Sequence, residues 1–231
     1  VDEYKFTSSV SDRPVKVPIT GPYTLARWAF NEAYETTEDA TYALADLVNE
    51  EIERLVDAGC KYIQIDEPAL AQYEDDHAIV GEALERIADG VPDDVRLGLH
   101  VCYGDYSRIY PEMLDYPVHE YDLELANGDY EQLDVFKADE FTKDFAMGVV
   151  DAHVAEVESV EEIKDNIKKG LEVVPPEQLT VSPDCGIKLL PREVAYGKME
   201  NMVQAAREIE QELDAGEIDV VAGGAEASAD D

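Results

Sequence analysis

The chain has 231 residues, 45% of them hydrophobic, enough for one sizeable core and too little for two large domains. Acidic residues outnumber basic ones 54 to 18 and are spread over the whole chain, a formal charge of −36 that argues against nucleic acid as a partner. No run approaches the roughly 20 apolar residues of a membrane span, and no charged-then-apolar leader opens the sequence, so a cytoplasmic protein without a membrane partner is expected.

The first apolar run, 15–20, reads as a buried strand, with Pro18 inside it as the one objection. A helix follows in which Leu44, Leu47, Val48, Ile52, Leu55 and Val56 share a face, with Glu38 and Asp39 in its first turn and Gly59 at its end. The second run, 62–65, leads into Asp66-Glu67-Pro68. Adjacent acids on an extended chain point to opposite sides, so one of them can face the rim of the sheet and bind an amine.

A helix carrying Ile79, Val80, Ala83, Leu84 and Ile87 precedes Gly90 and the third run, 95–102, which ends in His100-Val101-Cys102. Two-residue spacing puts an imidazole and a thiol on one face, a possible bidentate metal anchor, although His-x-Cys alone is more often packing than ligation. The fourth run, 118–125, contains Glu124, and a carboxylate in an apolar stretch needs a partner that a metal can supply. The fifth, 145–150, ends in Asp151-Ala152-His153, which places an imidazole at the same rim as a candidate proton donor beside a carboxylate.

Ser159-x-x-Glu162 is a capping box opening a helix with Ile163, Ile167 and Leu171. The sixth run, 179–182, is followed by Pro183-Asp184-Cys185-Gly186, where a turn can aim the thiolate at the rim. The last helix, 194–213, shows Met202, Ala205, Ala206, Ile209 and Leu213 at helical spacing, and residues 215–231 read as a disordered acidic tail. Strands alternating with helices predict a parallel α/β architecture over 1–214, with function at the carboxyl ends of the strands.

Three cysteines do not make the framework of a secreted domain. Cys60, between a helix end and a strand, reads as a small buried hydrophobe, while His77 and His119 sit beside acids and read as solvated or structural. One imidazole, two thiolates and one carboxylate form a donor set that suits zinc better than magnesium or calcium. The dispersed acids read as adaptation to concentrated salt, in which the Debye length falls to about 3 Å at 1 M and self-repulsion is screened.

At Thr20-Gly21-Pro22, Asp66-Glu67-Pro68-Ala69-Leu70, His100-x-Cys102, Glu124, Asp151-x-His153 and Pro183-Asp184-Cys185-Gly186 the sequence resembles the carboxyl-terminal catalytic barrel of cobalamin-independent methionine synthase. Order and spacing carry the resemblance: Glu124 lies 22 positions after Cys102, and Cys185 lies 83 after it. It implies a (β/α)8 TIM-type barrel, zinc on His100, Cys102, Glu124 and Cys185, the homocysteine amino group on Asp66, His153 as proton donor, and Trp28 against a folate pterin. Zinc in such a site holds the substrate thiol as a thiolate, the nucleophile for the methyl group.

Two features depart from the family. Gln72 stands where a glutamate commonly contacts folate, leaving the donor open between a methylated folate and a methyl-corrinoid. Six strands occur where the barrel has eight, so the barrel is expected to be incomplete and an amino-terminal portion to be missing. The competing readings are another zinc-dependent thiol methyltransferase of the same barrel superfamily, a non-catalytic fragment with a structural zinc, and a zinc-free decarboxylase that leaves the rim cysteines unexplained.

Overall fold

Among the described residues, six parallel strands follow one another in the sheet in chain order, β1-β2-β3-β4-β5-β6, with helices between them. This is the expected α/β barrel sheet, incomplete among the described residues with six strands where a closed barrel of this type has eight. The computed structural model describes residues 1–137, 141–218 and 220. The chain divides into two compact units, Val1–Glu124 with Thr142–Asp144, and Leu125–Phe141 with Phe145–Asp231.

In the first unit, α1 (Asp2–Val10) is followed by β1 (Lys16–Thr20), α2 (Pro22–Trp28), α3 (Thr37–Asp57), β2 (Tyr62–Asp66), α4 (His77–Ala88), β3 (Arg96–Val101) and β4 (Glu120–Leu123). The strand pairs are parallel, and their register fixes what each face carries. Ile63, Ile65, Leu97, Leu99 and Tyr121 are buried on one face. The other face carries Pro18, Gln64, Gly98 and Glu120 in one row, and Thr20, Asp66, His100 and Asp122 in the next. Pro18 is accommodated because β1 stands at the end of the strand order, where a missing N–H costs no ladder bond.

Helix α3 is capped by Thr36, whose hydroxyl accepts the Asp39 N–H at 3.0 Å. Its buried stripe runs through Thr41, Ala45, Val48, Ile52 and Leu55, while Leu47 is 59% exposed. The inward face is thus rotated from the expected one toward small residues, which let the helix approach its neighbours closely. Gly59 ends the helix region at φ +95°, a conformation other residues rarely adopt. Helix α1 buries no residue, so its sequence carries no apolar stripe by which to find it.

In the second unit, α5 (Leu133–Lys137) and the strand pair β5 (Asp144–Val150) and β6 (Leu179–Pro183) are joined by α6 (Val160–Gly170) and followed by α7 (Arg192–Asp214). The Ser159 capping box is present, the Glu162 carboxylate accepting the Ser159 N–H at 2.8 Å. Phe136, Phe141 and Phe145 form an aromatic cluster with ring centroids 5.2 to 5.8 Å apart. Of the expected tail, 219 and 221–231 lie outside the described residues.

Candidate metal centre

The rim of the first unit is built by register. Asp66 pairs with His100, and His100 with Asp122, so the carboxyl ends of β2, β3 and β4 stand side by side. Cys102 and Glu124 lie just past the ends of β3 and β4, each two residues beyond a row member and in phase with it. His100, Cys102 and Glu124 are all buried, at 6%, 2% and 7% exposure. The ligand atoms of His100 and Cys102 lie within 4.8 Å of each other.

His100 Nδ1 lies 3.1 Å from the Asp122 carbonyl and 3.3 Å from its carboxylate. A hydrogen bond there fixes Nδ1 as the protonated nitrogen and leaves the buried Nε2 as the ligand atom, the arrangement of a carboxylate behind a metal-binding histidine. Lys16 lies 3.8 Å from Asp122 and also pairs with Glu120, which keeps positive charge beside these acids. After Cys102 the chain turns through Tyr103 at φ +62°, and the Tyr103 N–H donates to Glu124 Oε2 at 2.7 Å. The thiol and carboxylate are therefore tied through a backbone held in a strained conformation, a type of strain that clusters at functional sites. Buried imidazole, thiol and carboxylate on one rim fit zinc by donor type.

Asp66 is half-buried and accepts a hydrogen bond from Gln64 Nε2 at 2.9 Å, while its neighbour Glu67 points the other way, as adjacent strand residues should. Glu67 is fully buried and accepts the N–H groups of Tyr23 at 3.0 Å and Thr24 at 2.7 Å, capping α2. A Cβ on Gly21 would overlap this carboxylate, so Gly21 is required there. Helix α2 opens at Pro22 and closes at Trp28, which is 61% exposed. Gln72 ends a short 3-10 turn, Leu70–Gln72, and is exposed.

Burial raises the Glu67 carboxyl to about 7, against the pull of the Thr24 and Tyr23 hydrogen bonds. A folded value above the unfolded one gives stability that is fully present below about pH 4.5 and is lost as pH rises through about 7. At about 1.4 kcal/mol per unit, the loss is on the order of 3 kcal/mol. Glu67→Gln is expected to flatten the decline of the thermal midpoint across that window. Parallel declines in parent and variant would assign the pH dependence to other groups.

In the second unit, Asp184 is fully buried and its carboxylate accepts three backbone N–H groups, those of Leu125 and Ala126 at 2.9 Å and Asn127 at 2.6 Å. Cys185 follows it, partly exposed. Past β5, Asp151 Oδ1 accepts the His153 N–H at 2.7 Å and lies 3.0 Å from His153 Nδ1. The remaining residues fall where expected: Cys60 is fully buried with its thiol 3.3 Å from the Tyr62 carbonyl, and His119 Nδ1 accepts the Leu97 N–H at 3.0 Å. No helix among the described residues is long and apolar enough to cross a membrane.

Fold and rim define a parallel β/α-barrel protein with a metal-capable His/Cys rim at the carboxyl ends of its strands. The chain belongs to the family described as cobalamin-independent synthase, catalytic domain, whose model matches residues 1–208. The methionine synthase of Saccharolobus solfataricus is 42% identical over 214 residues, covering 92% of this chain and 64% of that protein. The methionine synthase of Thermococcus kodakarensis is 41% identical over 215 residues, covering 92% and 63%. A B12-independent methionine synthase from Shewanella sp. W3-18-1, solved with selenomethionine, shares the fold with a TM-score of 0.86 at 24% identity, over 93% of this chain and 67% of that one. The chain thus spans somewhat under two thirds of the curated relatives' length.

Proposed function

We propose that this chain carries the thiol-activating part of a methionine synthase, a zinc-dependent transferase moving a methyl group from a methylated folate or a methyl-corrinoid donor to the thiol of homocysteine. The observation that carries the reading is the buried His100, Cys102 and Glu124 set beside Asp66 along one rim. His100, Cys102, Glu124 and Cys185 are the proposed ligands. Bound there, zinc supplies a Lewis acid that stabilises a thiolate at neutral pH.

The chain's own groups do the rest. Asp66, oriented by Gln64, accepts the substrate's ammonium group. Burial of the rim keeps water from the nucleophile. With a folate donor the sulfur–methyl bond forms as the methyl–nitrogen bond breaks, and His153 gives the departing nitrogen its proton. Nδ1 of His153 is engaged by Asp151, so the proposed donor is the doubly protonated imidazole, which gives its Nε2 proton and is left as the Nδ1–H tautomer. Trp28 offers an exposed ring to a pterin, and Gln72 a neutral amide at the donor side. The acid-rich composition fits a salt-rich cytoplasm.

The test is methionine formation by zinc-loaded protein, in high salt, with homocysteine and each donor in turn. Product with one donor identifies it. Failure to bind homocysteine, with no product from either donor, would sink the reading.

A further inference from the structure

Helix α7 carries a lysine on its core face. Lys198 stands in the buried stripe with Met202, Ala205 and Ile209 and is 0% exposed. A charge there is strongly unfavourable unless it is paired and hydrogen-bonded. Its Nζ donates to both carboxylate oxygens of Glu158, at 2.8 Å each. Asn201, three residues on, donates Nδ2 to the Glu158 backbone carbonyl at 2.7 Å. Gly197 permits this approach, since a Cβ there would meet the Val157 methyl groups at 3.3 Å. Helix α7 thus holds Glu158 by side chain and backbone together.

Glu158 has a second task. Its Oε1 accepts the backbone N–H of Asp151 at 2.9 Å, reaching back across the loop that follows β5. Asp151 in turn holds His153 through the backbone N–H and Nδ1. A continuous series of contacts runs from Lys198 through Glu158 and Asp151 to the His153 imidazole. Buried ion pairs are weak contributors to stability, because apolar residues of similar volume often replace them without loss. What an apolar pair lacks is an acceptor for the Asp151 N–H.

We propose that Glu158, held in place by Lys198, is the positioning residue for the Asp151–His153 pair and selects, for the neutral imidazole, the tautomer protonated on Nδ1, the form left once Nε2 has given its proton. The purpose of that selection rests on His153 being the proton donor, but the tautomer can be read without any methyl transfer. An acceptor fixed by two groups of a long helix sets the Asp151 amide, and with it the carboxylate that engages Nδ1. Nδ1 is then always the nitrogen turned to Asp151, and Nε2 always the one left to exchange a proton with the substrate.

The test is nitrogen-15 NMR of the imidazoles in the full chain in high salt, the His153 signals being identified among the four histidines by their loss in His153→Ala. The parent is expected to show a single Nδ1-protonated tautomer at His153. Glu158→Gln, which keeps shape, and Glu158→Gln/Lys198→Met, which removes both charges together, are expected to shift both nitrogens toward the averaged positions of a tautomer mixture and to move the Asp151 amide signal. Lys198→Arg is expected to retain the parent spectrum. Unchanged His153 signals in the folded Glu158→Gln protein would overturn the proposal, and so would a double variant that fails to fold, which assigns the pair to stability alone. Parent-like His153 signals accompanied by methyl transfer that survives His153→Ala would instead strike at the donor reading and leave the positioning intact.

Discussion

Cys102→Ser is expected to lower zinc affinity by more than about a hundredfold, beyond the 10- to 100-fold that loss of an outer-shell partner costs. The thiolate is the softest donor on the rim of the first unit, and the serine that replaces it is a poor zinc ligand. Cys102 is 2% exposed, so the substitution also leaves a hydroxyl in a water-poor site with the carboxylate and imidazole beside it. Cys185→Ser should act in the same direction. Cys60→Ser is the control, because burial raises that thiol's pKa and its partner is the Tyr62 carbonyl. Competition with a chromophoric chelator reads all three. Parent-like affinity in Cys102→Ser, or loss of zinc in Cys60→Ser, would count against the assigned ligands.

Dilution of salt is expected to unfold the protein. With 54 acids against 18 basic residues, most carboxylates have no cation of the chain to pair with. The pairs that do form, such as Lys164 with Glu208 and Glu212 between α6 and α7, are local. At 1 M salt the Debye length of about 3 Å confines each charge to its neighbours, whereas at 0.01 M it reaches about 30 Å and the repulsion sums over the molecule. Helical circular dichroism followed against salt should collapse near the ionic strength where screening extends past roughly 10 Å, about 0.1 M. A full helical signal in 10 mM buffer, approximately the 30 Å regime, would refute the salt requirement.

The six strands were legible because strands of a parallel sheet are covered on both faces and read as continuous apolar runs. Helices α3, α4, α6 and α7 were legible from apolar stripes and, in α6, from the Ser159 capping box. Helices α1, α2 and α5 were not, since α1 buries nothing and α2 and α5 span only 7 and 5 residues. At the rim, His100, Cys102 and Glu124 stood out because polar donors interrupt or end apolar runs. Their supports did not: Asp122 behind His100, Asp184 beneath Leu125–Asn127 and Glu67 at the start of α2 act on groups distant in sequence. One support did leave a signal. Lys198 falls four residues before Met202 on the apolar stripe of α7, and a lysine in that register asks for a buried acid.

The central claim is that this rim binds zinc through sulfur and keeps a position open for a substrate thiol. Zinc-edge X-ray absorption on protein loaded in high salt tests it most directly, before and after homocysteine is added. The account requires one zinc per chain with two sulfur neighbours, one of them lost in Cys102→Ser, and a third sulfur when homocysteine is present. A zinc without sulfur neighbours, or a shell that homocysteine leaves unchanged, would contradict it.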